Sequence, residues 1–208
     1  MIYVFHGDNN FSANEALHEL IGLVGTKDIQ DANVTSIDGR DFTIDTFGSA
    51  AMVAPFISAK RLVIVRDLFM KFEKNQSQNR RKRSNNKETT KAASITNDLY
   101  SLLVEMPLTT DVVFLESKTS DSNPMWEMFK KFLPETANGN EKIVIKEFKR
   151  LQGQALFEWI TSRVRDKGAS ISQPATNLLA ELVGDDLWSM ENELEKLSIY
   201  KYNQNIET

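Results

Sequence analysis

Five short apolar runs, set apart by stretches of helical periodicity, constrain this chain more than any other feature. The runs are Ile2–Phe5, Asn33–Ile37, Arg61–Val65, Asp111–Leu115 and Lys142–Ile145. Arg61-Leu-Val-Ile-Val65 is apolar without interruption, as a strand becomes when both faces of its sheet are covered. Between the runs the period changes to that of a helix. Ser12 offers an N-cap with Glu15 three residues on, ahead of Ala16, Leu17, Leu20, Ile21 and Val24, and Gly25 is a stop. Ile44, Phe47, Ala51 and Met52 form a second inward face that breaks at Pro55, and a third helix is expected from about Ser94 with Leu99, Leu102 and Leu103 inward. Asn123-Pro124 opens a fourth, through Met125, Met128, Phe129 and Phe132. Strands alternating with helices predict an α/β domain: a parallel sheet with helices on both faces.

After residue 147 only the helical period remains. Gln152–Asp166 groups Ala155, Leu156, Trp159, Ile160 and Val164, and Gly168 ends it. Pro174 opens a helix through Leu178, Leu179, Leu182 and Val183 that Gly184 stops, and Leu187–Tyr200 is a third. The expected organisation is an α/β domain over 1–146 and a small domain of three helices, without strands, over 147–208. The ending at 205–208 has nothing of a terminal cap, and the chain is expected to be part of a longer protein.

The 208 residues carry a net charge of −4, unevenly placed. Segment 74–91 holds seven cations against Glu88, a net of +6, which leaves −10 on the rest. An acidic body with one basic segment is not the footprint of global DNA or membrane binding. Residues 74–92 have almost no apolar content and read as a disordered basic insertion. Arg80, Arg81, Lys82 and Arg83 are its candidates for phosphate contact, although no aromatic residue is interleaved for base stacking. The chain lacks cysteine, which excludes disulfides and thiolate chemistry. No apolar run approaches a membrane span and no secretory leader is visible, so a cytoplasmic protein is expected.

The turn after the first strand has the layout of a phosphate-binding loop. That motif needs G-x-x-x-x-G-K-[ST], with glycines for close backbone approach, a lysine for the β- and γ-phosphates and a hydroxyl for Mg²⁺. Here Gly7 is followed, at the other three places, by Ser12, Ala13 and Asn14. Two readings stand: an ordinary strand-to-helix turn, or a nucleotide site that has lost its chemistry. The acidic pair expected after the strand Leu62–Val65 is Arg66-Asp67, and a cation in the first place opposes a metal. In the helical part, Leu187 of Gly184-Asp-Asp-Leu187 stands where related ATPases place a phosphate-sensing arginine. His6 and His18 lack a third ligand, Asp185-Asp186 and Glu191, Glu193 and Glu195 read as solvated helix-terminal acids, and no nucleophile elbow is present. No catalytic residue, metal ligand or cofactor is expected.

Met52-Val-Ala-Pro-Phe-Ile57 is the remaining feature, an apolar segment between a helix and a buried strand. Either Phe56 and Ile57 tuck beneath the sheet, or they project as a plug for a partner's pocket.

The ordered series Phe5-His-Gly-Asp8, Pro55-Phe-Ile-Ser-Ala-Lys-Arg-Leu-Val-Ile-Val65, Thr109-Thr-Asp-Val-Val-Phe-Leu-Glu116, Glu147-Phe-Lys-Arg-Leu151 and Leu156-Phe-Glu-Trp-Ile160 resembles the delta subunit of bacterial DNA polymerase III. Gly184-Asp-Asp-Leu187 and Asn192-Glu-Leu-Glu-Lys-Leu197 resemble the same family's second domain. The resemblance implies an AAA+-like clamp-loader fold: a P-loop-type α/β domain, a helical lid and a collar domain, the last absent from this chain. It implies a non-catalytic subunit of a DNA-directed DNA polymerase holoenzyme that grips and opens the ring-shaped sliding clamp (the beta subunit) without hydrolysing ATP. Other expected partners are the ATPase and remaining clamp-loader subunits, with DNA contacted weakly or indirectly. Phe56 matches the family's aromatic wedge residue, with Met52 beside the wedge and either Pro55 or Ile57 as its second residue. The rival reading is a degenerate P-loop module that binds nucleic acid through the basic insertion.

Overall fold

The computed structural model describes residues 1–73, 86–132, 142–201 and 204–207, with the backbone alone for 86–92. They form two compact units, Met1–Phe148 and Lys149–Thr208. The first is built on five strands: β1 (Ile2–His6), β2 (Val34–Asp38), β3 (Arg61–Arg66), β4 (Thr110–Glu116) and β5 (Ile143–Glu147). Every pairing is parallel, in the order β2-β3-β4-β1-β5. The helices are α1 (Asn10–Gly22), α2 (Lys27–Asn33), α3 (Ile44–Ala51), α4 (Asn86–Glu105) and α5 (Pro124–Lys130).

The strand order fixes which face each helix covers. The chain leaves β1 in one direction along the sheet, to the far edge at β2, and every later step runs the other way. Right-handed crossovers therefore put α1 and α2 on one face and α3, α4 and α5 on the other. Alternation along the strands supplies both cores. Ile2, Val4, Val63, Val65, Val112 and Phe114 face a core that also takes Phe47, Phe69, Leu99 and Phe129. Phe5, Leu62, Ile64 and Val113 face the other, with Leu17, Val24 and Phe148. This is the expected α/β sheet covered on both sides.

Several local expectations need correction. Helix α1 is capped by Asn9, whose Oδ1 accepts the Ser12 N–H at 3.0 Å while its Nδ2 donates to Ser12 Oγ. Ser12 is thus the partner of the cap, because the helix begins at Asn10 and Ser12's own N–H is one of the orphan donors that Asn9 satisfies. The seven-residue α2 was not expected; it is too short to show an apolar face. Helix α4 starts at Asn86, so residues 86–92 of the basic segment are helical rather than disordered. Lys87, Glu88, Lys91, Ala92 and Ala93 are good helix formers that need no apolar stripe to extend an existing helix. Residues 74–85, with Arg80, Arg81, Lys82 and Arg83, lie outside the described residues.

The second unit contains α6 (Gln154–Asp166), α7 (Gln173–Val183) and α8 (Leu187–Tyr200). Leu156, Ile160, Val164, Met190 and Leu194 are buried in it, whereas Ala155 and Leu182 are exposed. Asp186 caps α8, accepting from Trp188 and Ser189 N–H, and Glu191 pairs with both Arg163 (3.0 Å) and Lys167 (2.9 Å). The unit is not strandless: β6 (Ser170–Ile171) and β7 (Asn205–Ile206) pair in parallel, a two-residue ladder too short to leave a period in the sequence.

Candidate functional site

Most of the described residues singled out by the sequence fall at two places in the first unit, at opposite edges of the sheet. At the carboxyl edge, β1 and β4 are neighbours whose outgoing connections run to opposite faces. That is the topological switch point, where open α/β sheets hold their ligands. Asn10, Asn14, Arg66, Asp67, Glu116 and Ser117 line a cavity of about 160 Å³ there.

The loop over this edge is drawn shut by the segment after β5. The Phe148 N–H donates to the His6 carbonyl at 2.7 Å, and the Asn9 N–H donates to the Phe148 carbonyl at 3.0 Å. Gly7 sits between them at φ +127°, where a Cβ would stand 2.2 Å from that carbonyl oxygen. Ala13 is buried in the core under α1 and presents no charge. Asn14 and Arg66, the positions of the Mg²⁺ hydroxyl and the first acidic residue, meet each other at 3.4 Å. Glu116 is buried, and its carboxyl accepts the N–H groups of Leu68 (3.1 Å) and Phe69 (3.0 Å). Burial pushes it up to about 8, against the two backbone bonds that favour its charged form. Leu187 is buried within the second unit as the first residue of α8. His6 packs edge-on against the Trp126 ring at 4.7 Å, and burial lowers its pKa. Among the described residues no group of acids and histidines could hold a metal ion.

At the amino edge, the segment joining α3 to β3 runs past the ends of the strands. Its side chains point out while its backbone is tied down. Phe56 is 64% exposed and Ile57 76% exposed. Val53 is also exposed, whereas Met52 caps α3 half-buried and Pro55 is half-buried. Of the open readings of this segment, projection is the one realised. Ile57 has φ +49°, a left-handed backbone that a β-branched residue adopts only under constraint. The constraints are visible. Asn33, fully buried at the end of α2, accepts the Phe56 N–H at 2.6 Å and donates to the Phe56 carbonyl at 2.8 Å. Ser58 Oγ donates to the Val24 carbonyl at 2.8 Å. Arg61 Nε donates to the Ala50 carbonyl and Thr110 Oγ1 to that of Ala51, fixing the end of α3. Lys60 pairs with Asp111 at 3.0 Å.

Two more exposed apolar side chains lie at this edge, Leu23 after α1 and Leu108 before β4. The sequence did not single them out, because isolated leucines in turns carry no pattern. Asn33, first residue of the run Asn33–Ile37, ends α2 in the structure instead, and β2 begins at Val34.

The family described as DNA polymerase III, delta subunit, matches residues 3–132, well over half of the chain. The DNA clamp loader delta protein of Bacillus subtilis has a similar structure, with a TM-score of 0.65 at 18% identity. The match covers 99% of this chain and 55% of that protein, so the chain spans little more than half the length of this relative. A gamma subunit-related protein of DNA polymerase III from Thermotoga maritima matches with a TM-score of 0.48 at 15% identity, over 95% of this chain and 53% of its own. No curated protein sequence matches. Because that family's model covers residues 3–132, the chain belongs to the DNA polymerase III delta subunit family.

Proposed function

We propose that this chain is the clamp-gripping part of a clamp-loader subunit, and that the loop at the amino edge is its contact with the sliding clamp. The observation that carries the reading is the pair Phe56 and Ile57, both well exposed on a backbone tied at each end. Exposed apolar residues on flexible tails are unremarkable; two on a pinned, strained loop have a use. Fully burying each in a partner's pocket is worth about 1.5–3 kcal/mol, enough for the pair to dominate an interface. Ile57 rather than Pro55 is the second wedge residue, since Pro55 is half-buried. A clamp that offers this pocket more fully when its ring is strained or open is drawn toward that state by binding.

The second part of the reading is that the carboxyl edge holds no Mg²⁺–ATP. The loop amide of Asn9 is already bonded, Ala13 replaces the phosphate lysine, and Arg66 brings a cation to the metal's place. The nucleotide would then act through neighbouring ATPase subunits.

The direct test is binding of the 208-residue chain to the purified sliding clamp of the same organism by surface plasmon resonance. Saturable one-to-one binding is expected. Absence of binding, with the chain folded, contradicts the reading.

A further inference from the structure

We infer that Asn33 is the positioning residue of the clamp-facing loop: its buried carboxamide holds Phe56 and Ile57 in their projecting conformation before a partner arrives. The inference rests on the proposed reading of that loop as the clamp contact. Asn33 has no role in chemistry and touches no partner; it acts through Phe56.

The geometry is specific to one side chain. Oδ1 accepts from the Phe56 N–H at 2.6 Å, and Nδ2 donates both to the Phe56 carbonyl at 2.8 Å and to the Ile29 carbonyl at 2.8 Å. One carboxamide thus satisfies both backbone polar groups of Phe56, as a neighbouring strand would. The bond to Ile29, one turn back on α2, orients the carboxamide, and full burial of Asn33 keeps water from competing for its partners. The acceptor must face the Phe56 N–H and the donor the two carbonyls, so the orientation of the amide follows from its partners. Aspartate lacks the donors, leucine lacks both functions, and glutamine is one methylene too long for the same pocket.

The consequence falls on Ile57. Its left-handed backbone is flanked by two anchors, the Asn33 carboxamide at Phe56 and the Ser58 hydroxyl on Val24. With the first anchor released, Ile57 can relax to an ordinary conformation and the two side chains lose their common direction. Binding then has to reorder the loop, and affinity falls by the cost of that ordering.

The test combines Asn33→Leu, branched at the same atom but without polar groups, the milder Asn33→Ser, Phe56→Ala and the double variant Asn33→Leu/Phe56→Ala, all in the 208-residue chain. Melting curves, clamp affinity and amide hydrogen exchange are read for each. The Phe56 amide of the unmodified chain should exchange at least tenfold more slowly than an unprotected amide, and lose that protection in either Asn33 variant. The two bonds to Phe56 predict a loss of clamp affinity of roughly tenfold or more on their removal. In the Phe56→Ala background the Asn33 change should cost less, because only Ile57 is then left to position. An unprotected Phe56 amide in the unmodified chain overturns the inference with no clamp involved, even if Asn33→Leu does not fold. Equal affinity losses in both backgrounds also overturn it, since Asn33 would then contribute nothing to the placing of the Phe56 ring. If Phe56→Ala weakens binding and the folded Asn33 variants do not, the inference fails and the clamp reading stands. If Phe56→Ala leaves affinity unchanged, the clamp reading of the loop fails and the inference with it.

Discussion

Arg66 Nη1 lies 3.4 Å from Asn14 Oδ1, across the carboxyl edge of the sheet. In a working nucleotide site of this layout a metal would occupy the space between the residues at these two positions. Here a guanidinium faces the carboxamide directly, and a dication brought there would meet a positive charge. Titration calorimetry with Mg–ATP is expected to show no binding tighter than about 1 mM. A stoichiometric micromolar site contradicts this account of the carboxyl edge.

Gly7 is required by the same closure. Its φ of +127° is one that residues with a Cβ rarely adopt, and the Cβ would stand 2.2 Å from the Phe148 carbonyl oxygen. Gly7→Ala is expected to destabilise the first unit by about 2 kcal/mol or more, from backbone strain and displacement of the segment after β5. Denaturant unfolding checks this, and an unchanged midpoint with an unchanged slope contradicts it.

Glu116 makes stability depend on pH in a stated direction. Its folded pKa is raised to about 8, above the 4.5 of an unperturbed glutamate. The folded state therefore holds a proton that the unfolded state has released, and stability declines as pH rises between those two values. The slope from this group is at most about 1.4 kcal/mol per pH unit. Glu116→Gln keeps an acceptor for one of the Leu68 and Phe69 amides and removes the titration. Its stability relative to the unmodified chain should rise steadily from pH 5 to pH 8; parallel curves contradict the assignment.

The parts of the fold that the sequence revealed are those with a period. Leu62–Val65 announced a strand covered on both sides, and Leu187–Tyr200 announced a helix at its observed bounds. What stayed hidden was set by single polar residues acting at a distance. Asn9 takes the cap of α1 from Ser12, and α2 is too short to show a stripe. The departures from a phosphate-binding motif at Ala13 and Arg66 were legible because the motif fixes where those positions fall. The exposure of Phe56 was not, because an apolar residue before a buried strand can point either way. Its direction is decided by Asn33, distant by 23 positions in the chain.

The most direct measurement is the melting curve and the clamp affinity of Phe56→Ala, taken side by side with the unmodified chain. A projecting aromatic that fills a partner's pocket should lose about 2–4 kcal/mol of binding on truncation, with the melt nearly unchanged. A core phenylalanine would instead lose about 3–5 kcal/mol of stability. Weakened clamp binding with an intact fold is expected; unchanged affinity, or a collapsed melt, contradicts a projecting Phe56 wedge.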